Sequence, residues 1–378
     1  METIVSGMRP TGKLHLGHFH GALVNWLRLQ ERLQCYFFVA DWHALTTDYA
    51  APQGIRESTI EMVMDWLAVG LDPAKSVIFR QSRVKEHAEL HLLYSMITPV
   101  PWLERNPTYK EQIKEIVGKD LSTYGFLGYP VRQAADITIY KANKVPVGVD
   151  QAPHVELTRE IVRRFNQLYG PIFPEPEVLL TEAQRVPGLD GRKMSKSYGN
   201  AVFLSNTPKD IHAKISRMMT DPARVKRTDP GEPEKCPAFQ LHKIYCTAQE
   251  IDEVSRGCRT AGIGCLDCKK IMIRHVIDDL APIRERRGGL PRLQEDHDQA
   301  RHRRPRTDPR APRAARETTR RGGSRSRRRH RDRAAKGRRD AGGSARGFDA
   351  VSTKIQLEIF EGPLDLLLHL IKKNEVSV

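Results

Sequence analysis

A glycine-rich loop with two histidines follows the first apolar segment of the chain. The segment reads Gly7-Met8-Arg9-Pro10-Thr11-Gly12-Lys13-Leu14-His15-Leu16-Gly17-His18. A glycine-rich turn between a strand and a helix lets backbone N–H groups approach a phosphate, and the start of the helix favours an anion. His15 and His18 add donors that can reach phosphate oxygens. Taken alone, the loop could equally be an ordinary turn with surface histidines, and it lacks the Gly-Lys-Ser/Thr ending of a P-loop.

A second loop carries two lysines three residues apart. It reads Pro187-Gly188-Leu189-Asp190-Gly191, then, after Arg192, Lys193-Met194-Ser195-Lys196-Ser197. Two ammonium groups on a mobile loop suit a leaving pyrophosphate. A lone lysine pair is ordinarily a solvated basic loop. This pentapeptide, however, follows the two histidines after about 175 residues, and that combination argues against coincidence.

A third group consists of four cysteines. Cys236, Cys258, Cys265 and Cys268 are separated by 21, 6 and 2 residues. Four thiolates could form a tetrahedral zinc site or hold a [4Fe–4S] cluster. Structural zinc usually has two short cysteine pairs, whereas only Cys265 and Cys268 make one here. The spacing therefore favours iron–sulfur over zinc, and either over four free thiols.

The elements that must position these loops alternate between strand and helix. β-Branched and aromatic residues predict short buried strands at 3–6, 35–41, 77–81, 145–149 and 178–181. Helical spacing predicts helices at 17–33, 55–70, 86–97, 131–142 and 152–169. This order predicts an α/β fold, a Rossmann-like doubly wound parallel sheet that binds ligands beyond the carboxyl ends of its strands. The long connection between the third and fourth strands predicts a helical insertion.

The predicted domains follow these patterns. We expect a catalytic domain at 1–200 with its insertion at about 83–142, and an all-α domain at 201–288 that contains the four cysteines. No apolar run approaches the about 20 residues of a membrane span. The N-terminus lacks the basic and apolar regions of a signal peptide. We therefore expect a cytoplasmic protein without a membrane segment.

The basic charge is concentrated in one segment. Residues 301–347 contain eighteen arginines and one lysine against four acidic residues, which is +15 of the net charge of +16. Because the same stretch has no large apolar side chain, we predict that 289–350 is disordered. A short amphipathic pattern returns at 351–378. The net charge therefore says little about the folded part of the chain.

The histidine and lysine motifs together resemble the signature pair of class I aminoacyl-tRNA synthetases. Two segments between them narrow the match. They are Gly128-Tyr129-Pro130-Val131-Arg132-Gln133-Ala134-Ala135-Asp136-Ile137 and Val145-Pro146-Val147-Gly148-Val149-Asp150-Gln151-Ala152-Pro153-His154-Val155-Glu156-Leu157-Thr158-Arg159. Both are similar to the tryptophanyl-tRNA synthetase family, and the resemblance runs from residue 2 to about residue 287.

The resemblance implies ATP-dependent activation of L-tryptophan to tryptophanyl-adenylate with Mg²⁺, release of pyrophosphate, and transfer of tryptophan to the 3′ end of tRNA(Trp). It also implies a homodimer, an anticodon-binding role for the all-α domain, and a [4Fe–4S] cluster, which some members hold with nearly this cysteine spacing. Tyrosyl-tRNA synthetases share the fold and both signatures and are the competing enzyme class. A synthetase-derived binding protein with impaired tRNA charging is the alternative outside catalysis.

The resemblance also assigns residues. The catalytic residues would be His15, His18, Lys193 and Lys196. The ATP contacts would be Arg9, Pro10, Thr11, Gly17, His18, Gly148, Val149, Asp150, Val186, Lys193, Met194, Ser195, Lys196 and Ser197. The tryptophan contacts would be Asp136, His43, Tyr129, Gln133 and Gln151.

Asp136 would accept the indole N–H, which can only donate, so that phenylalanine would leave the buried carboxylate unpaired. Without the family, Asp136 could be a charge on a helix face and His43 a packed histidine. Gln133 and Gln151 would then be helix-surface amides.

The end of the chain departs from the family. Residues from about 353 to 378 resemble the start of segregation and condensation protein A, but they are too few to fold alone. We hypothesise a frameshift near Gly288 that runs into Arg-rich sequence and then into a neighbouring gene. A genuine basic extension that binds tRNA backbone is the alternative. Sequencing across codons 285–350 distinguishes the two, since an uninterrupted frame in independent isolates would exclude the frameshift.

Overall fold

Five parallel strands form one sheet in the computed structural model, which describes residues 2–116, 119–180 and 186–290. The strands, in chain order, are β1 (Thr3–Met8), β2 (Gln34–Val39), β3 (Ser76–Arg80), β4 (Lys144–Val147) and β5 (Glu177–Leu180). Their order across the sheet is β3-β2-β1-β4-β5, and every neighbouring pair is parallel. The predicted α/β fold with a doubly wound parallel sheet is confirmed.

The strand order reverses at β1. Thr3 pairs with Gln34 of β2, while on the other side Ile4 pairs with Lys144 of β4. The connections that leave β1 and β4 therefore diverge, and the crevice between the carboxyl ends of these two strands is where a doubly wound sheet binds ligands. The glycine-rich loop follows β1, and Gly148 follows β4.

The helices surround and extend this sheet. They are α1 (Leu16–His18), α2 (Val24–Leu29), α3 (Asp41–Asp48), α4 (Ile55–Val69), α5 (Glu86–Ile97), α6 (Val100–Arg105), α7 (Pro107–Glu115), α8 (Tyr124–Leu127), α9 (Tyr129–Thr138), α10 (Ala152–Tyr169), α11 (Pro208–Ser216), α12 (Pro237–Tyr245), α13 (Ala248–Arg259) and α14 (Cys265–Gly289). A π-helical turn, Phe19–Leu23, joins α1 to α2. Helices α5 to α9 lie between β3 and β4, as the predicted insertion requires.

One hydrophobic cluster connects the sheet to the C-terminal helices. Trp26 stacks on Phe37 at 4.4 Å between ring centroids and meets the edge of Trp66 at 5.2 Å. The same cluster extends from Ile4 in β1 to Ile283 in α14, both almost fully buried. Helix α14 is therefore tied to the sheet domain by apolar packing as well as by chain connection.

The remaining observations concern membrane spans and the parts of the chain outside the described ranges. No helix within the described ranges is long and apolar enough to cross a membrane. The Arg-rich segment, the short amphipathic tail and position 181 of the predicted fifth strand lie outside the described residues.

Candidate active site

The glycine-rich loop begins where β1 ends, at Met8. Gly12 has φ 104°, a left-handed conformation that side chains rarely adopt, and a Cβ at this position would collide with Lys196 Nζ. A Cβ on Gly17 would lie 2.9 Å from the imidazole of His15. Gly12 is therefore favoured by its left-handed backbone and Gly17 by the close approach of the His15 ring.

The two histidines of the loop are neutral hydrogen-bond donors. The backbone N–H of Gly17 donates to His15 Nδ1 at 3.1 Å, and that of His15 donates to His18 Nδ1 at 3.3 Å. Because each Nδ1 accepts a hydrogen bond, the proton of each ring lies on Nε2. Burial lowers the pKa of His15 to about 4 and that of His18, with a contribution from His15, to about 3. Both Nε2–H groups can therefore donate to an anion without the rings carrying charge.

The histidine and lysine motifs meet in the folded chain. Lys196 Nζ donates to the carbonyl oxygen of Thr11 at 2.9 Å. Just after the lysine loop, the backbone pairs with the histidine loop, since Leu16 N–H donates to Val202 O and Leu204 N–H donates to Leu14 O, both at 3.0 Å. Two signatures about 175 residues apart in sequence thus form one surface.

Some residues of the lysine loop are buried and anchor its backbone, whereas Lys193 is exposed to solvent. Val186 and Met194 are buried, and the Met194 N–H donates to Val186 O at 3.2 Å. Ser195 and Ser197 share a hydrogen bond of 2.8 Å between their hydroxyl groups. Lys193 is exposed. The ammonium groups are therefore presented from an anchored loop.

Arg9 lies at the entrance of the histidine loop, one residue before Pro10. Its guanidinium donates to the hydroxyl of Thr47 and lies 3.7 Å from a carboxylate oxygen of Asp48. Its Nε is buried and has no partner among the described residues. Because the side chain is 39% exposed, the guanidinium can still reach an anion beside the loop.

A short loop after β4 reaches the same edge of the sheet. A Cβ on Gly148 would lie only 2.6 Å from Asp150 Oδ1, so a side chain there would displace the carboxylate. Val149 is exposed, and Gln151 Nε2 donates to Asp150 Oδ2 at 3.1 Å. The exposed Asp150 carboxylate can accept from the hydroxyl groups of a ribose.

Asp136 lies on α9 and is 1% exposed. His43 Nε2 lies 2.6 Å from Oδ2, and His87 Nδ1 lies 2.5 Å from Oδ1. Gln81 Nε2 lies 2.8 Å from both oxygens. His87 Nε2 lies 2.7 Å from the Tyr140 hydroxyl, and His87 Nδ1, which faces the carboxylate, is the donor to it.

The surroundings of Asp136 favour its charged form. Burial alone raises the pKa of a carboxyl group. Here the nearby imidazoles of His87 and His43 outweigh burial and hold the pKa of Asp136 well below its usual value. A buried carboxylate that stays ionised is a strong hydrogen-bond acceptor.

The other predicted tryptophan contacts differ in how they are arranged around this carboxylate. The rings of His43 and Tyr129 meet edge to face with centroids 6.5 Å apart. Gln133 is half-buried on α9, three residues before Asp136 and so on the same helix face. Neither Gln133 nor Gln151 hydrogen-bonds to Asp136 in the described part of the chain.

Sequence reasoning missed three residues of this network: Gln81, His87 and Tyr140. Gln81 is fully buried directly after β3, at the carboxyl end of a strand, where the fold predicts ligand-binding groups. That position is a signal that could have identified it. His87 and Tyr140 have no comparable signal, because each is one polar position on a helix or turn.

The four cysteines of the third group line one cavity. Cys236 precedes α12, Cys258 lies in α13, and Cys265 and Cys268 lie in the first turn of α14. Burial and the neighbouring thiols raise the pKa of Cys268 to about 12. The Cys268 thiol therefore resists ionisation unless a cation stabilises the thiolate.

Other groups around the cavity also fit a metal group. Arg224 Nη1 lies 3.9 Å from Cys258 Sγ, and the buried Lys269 follows Cys268 directly. These cations can offset the charge of thiolates. His242 lines the cavity as well, and its Nε2 is buried without a partner in the described residues.

The four cavity sulfurs are not all as close together as the ligands of one bound zinc ion. Among the described residues, the donor atoms that lie mutually within 4.8 Å in a set of three are those of Cys246, Glu250 and His275, where Glu250 pairs with His275 and caps α13. No three of the four cavity thiols meet that limit. Four thiolates on one zinc ion at 2.3 Å would lie only about 3.8 Å apart.

Comparison with known proteins places this site in a family. The family model for class I tRNA synthetases (W and Y) matches residues 2–280. A tryptophan–tRNA ligase of Thermotoga maritima is 59% identical over 284 residues, which cover 75% of this chain and 87% of the relative. A tryptophan–tRNA ligase of Ralstonia nicotianae is 49% identical over 355 residues, and the match covers 75% of this chain and 89% of the relative.

A solved structure gives the same result. The tryptophanyl-tRNA synthetase of Campylobacter jejuni, complexed with ADP and tryptophan, superposes with a TM-score of 0.69 at 32% identity and covers 80% of this chain and 92% of that one. The doubly wound sheet, the joined signature loops and a family match over residues 2–280 define a class I aminoacyl-tRNA synthetase. Within that class, the chain belongs to the tryptophanyl-tRNA synthetase family.

Proposed function

We propose that this chain activates L-tryptophan with ATP and transfers it to the 3′ end of tRNA(Trp). The observation that carries this function is the contact between Lys196 Nζ and the carbonyl oxygen of Thr11, because it joins the two signature loops over one site. The identity of the amino acid is supported by the relatives, which are named tryptophan–tRNA ligases.

The reaction is an in-line attack of the tryptophan carboxylate on the α-phosphate of ATP, which releases pyrophosphate. Positioning and stabilisation of charge do most of the work, so no general base is needed. The Nε2–H groups of His15 and His18 donate to phosphate oxygens, and Lys193 and Lys196 neutralise the leaving pyrophosphate. Bound Mg²⁺ would add charge neutralisation on the phosphates.

We assign the remaining ATP contacts to the surrounding loops. The exposed part of the Arg9 guanidinium contacts a phosphate, and the backbone at Pro10, Thr11 and Gly17 lies along the bound phosphates. Asp150 binds the ribose hydroxyl groups, with Gly148 and Val149 leaving room for the sugar. We assign the contact with the adenine ring to Val186. The conformation of the lysine loop is supported by three of its own residues, Met194, Ser195 and Ser197.

We assign tryptophan recognition to the pocket around Asp136. Its oxygens already accept from His43, His87 and Gln81. His43 has 12% of its side chain exposed, whereas His87 is fully buried. The indole N–H therefore takes the place of His43 on Oδ2, while Tyr129, Gln133 and Gln151 surround the rest of the amino acid.

We assign a [4Fe–4S] cluster to Cys236, Cys258, Cys265 and Cys268, with Zn²⁺ as the alternative. The cavity that the four cysteines share supports a metal group at this place. The group would fix the relative positions of α12, α13 and α14 without entering the reaction. We accordingly place the anticodon-binding surface on this helical part, 201–288, beside a catalytic part at 1–200.

Two further assignments concern assembly and location. Leu92 and Met96, one turn apart on α5, are 46% and 70% exposed, and Val100 at the start of α6 is 51% exposed. Such an apolar strip suits the interface of a homodimer. We also propose a cytoplasmic location, which agrees with a charging reaction that consumes ATP and tRNA.

The function is tested by amino-acid-dependent ATP–pyrophosphate exchange with tryptophan and tyrosine in parallel, followed by charging of tRNA(Trp). We expect exchange with tryptophan alone. Lys196→Met should lower kcat by about 100-fold or more, as expected when one donor to developing charge is lost. The matched control is Lys209→Met, because Lys209 is exposed on α11. Exchange with tyrosine alone, or equal loss in both variants, would contradict the assignment.

The metal group is tested on anaerobically purified protein. If a [4Fe–4S] cluster is bound, we expect brown protein that absorbs at about 400 nm and contains equal amounts of iron and sulfide. Cys258→Ser should lose this colour, whereas Cys35→Ser, at a buried thiol outside the cavity, should keep it. Colourless protein that contains one zinc ion per chain would contradict the cluster and support the alternative assignment of Zn²⁺.

A further inference from the structure

Helix α14 is joined to α4 by a buried ion pair. Asp65, in the last turn but one of α4, is fully buried, and its Oδ1 accepts from Arg287 Nη1. Arg287 is 13% exposed and also donates from Nη2 to Glu61 Oε2 at 2.6 Å and from Nη1 to Glu61 O at 3.3 Å. The guanidinium of one residue near the end of α14 thus holds two acids one turn apart on α4.

The other oxygen of Asp65 holds the histidine loop. Leu14 N–H donates to Asp65 Oδ2 at 3.0 Å, and Leu14 itself is fully buried. Its carbonyl oxygen accepts from Leu204 N–H at 3.0 Å. Leu14 is therefore held from both sides, and it immediately precedes His15, the first of the two histidines of the loop.

This carboxylate contact has a clear electrostatic requirement. A buried charge is tolerated only when a partner compensates it, and the loss of one partner is strongly unfavourable. Without Arg287, Asp65 would have to bind a proton or leave its position. In either case the acceptor for Leu14 N–H would be weakened, although the reacting groups themselves would be unchanged.

We propose that Asp65 is a positioning residue for ATP and that Arg287 keeps it in place, so that the last described helix sets the geometry of the histidine loop. Neither residue touches substrate. Asp65 fixes the backbone at Leu14, and the backbone fixes the Nε2–H donors of His15 and His18. This inference rests on the proposed function of the histidine loop as the ATP site.

The test compares Arg287→Met with Arg286→Met. Arg286 is the neighbouring exposed arginine, and its Nη1 donates to Ala68 O at 3.1 Å, so it also joins α14 to α4 but does not contact Asp65. We expect Arg287→Met to raise the KM for ATP in tryptophan-dependent exchange by about tenfold, as expected for one charge-assisted hydrogen bond. The KM for tryptophan should stay unchanged, and Arg286→Met should resemble the wild type.

A second variant makes the effect specific. In Asp65→Asn/Arg287→Met the buried charge is gone, and the amide oxygen can still accept from Leu14 N–H. We expect this double variant to recover an ATP KM within about threefold of wild type. A structural role in helix docking alone would give no such recovery. If Arg287→Met does not fold, Arg287→Lys and the double variant replace it, with an intermediate rise expected for the lysine.

Three results would overturn the inference. They are an unchanged ATP KM in every Arg287 variant, an equal rise for Arg286→Met, and no recovery in the double variant. Equilibrium binding of a non-hydrolysable ATP analogue to the same proteins separates this outcome from failure of the proposed function. Absence of exchange in the wild type would contradict the function, whereas equal analogue affinity in wild type and Arg287→Met would contradict the positioning role.

Discussion

Asp136 and Asp65 are both helix aspartates with essentially no exposed surface, yet their environments shift their pKa values in opposite directions. For Asp136, the imidazoles of His87 and His43 outweigh burial and hold the pKa well below its ordinary value. For Asp65, burial outweighs the pull of Arg287 and of the Leu14 N–H, and the pKa is raised to about 6. Burial alone therefore does not determine the charge state of a buried acid.

The difference follows from the number and direction of donors. Asp136 accepts hydrogen bonds from three side chains, those of His43, His87 and Gln81. Each of its two carboxylate oxygens therefore has at least two donors. Asp65 accepts one backbone N–H and one guanidinium that it shares with Glu61. The first arrangement builds a permanent anion able to recognise an N–H group. The second builds a tether whose charge is only moderately stabilised.

The largest test of this contrast is specificity for the amino acid. We expect Asp136→Asn to lower kcat/KM for tryptophan in the exchange reaction by about 100-fold or more, because the buried acceptor for the indole N–H loses its charge. Asp65→Asn should leave kcat/KM for tryptophan nearly unchanged at saturating ATP and should raise only the KM for ATP, by less than about tenfold. Equal losses through the tryptophan KM in both variants would remove the distinction between recognition and tethering.

Stability gives the next test. Asp136→Ala should lower the free energy of unfolding by about 3–5 kcal/mol, because it leaves His43, His87 and Gln81 without their shared buried acceptor. Asp65→Asn should cost about 1–2 kcal/mol, because Arg287 keeps Glu61 and the amide can still accept from Leu14. Urea unfolding at pH 7.5 measures both. A larger loss for Asp65→Asn would show that the tether, not the pocket, is the more strongly stabilised site.

These two sites also show what the sequence could and could not reveal. The five strands were predicted to within about two residues, because alternation and β-branched composition are local patterns. Asp136 was found because it lies inside a motif that resembles a family. Asp65 was missed, since in sequence it is one polar position on an amphipathic helix. Its partners lie 51 and 222 residues away, and no local pattern encodes such a contact.

A smaller effect should come from the support behind Asp136. His87→Phe removes one donor to Oδ1 and the link to Tyr140, so the carboxylate is oriented less firmly. We expect the KM for tryptophan to rise about tenfold with little change for ATP. His212→Phe is the control, since His212 is exposed on α11. An unchanged tryptophan KM would mean that Gln81 and His43 suffice to hold the carboxylate.

The smallest effect is a difference in pH dependence. Because the folded-state pKa of Asp65 is raised to about 6, the folded protein binds more protons at this group than the unfolded chain between about pH 4 and 6. Its contribution to stability therefore falls as the pH rises through that window.

The stability advantage of wild type over Asp65→Asn should accordingly be about 1 kcal/mol larger at pH 5 than at pH 7.5. The lowered pKa of Asp136 has the opposite sign. Its own contribution is fully present above about pH 4 and is lost only as the pH falls further, so the titration of the Asp136 carboxyl itself adds no pH dependence between pH 5 and 7.5. Urea unfolding of the three proteins at both pH values measures these differences. A constant difference for Asp65→Asn as well would show that Arg287 stabilises the charged form fully, and the two aspartates would then be equivalent in charge state.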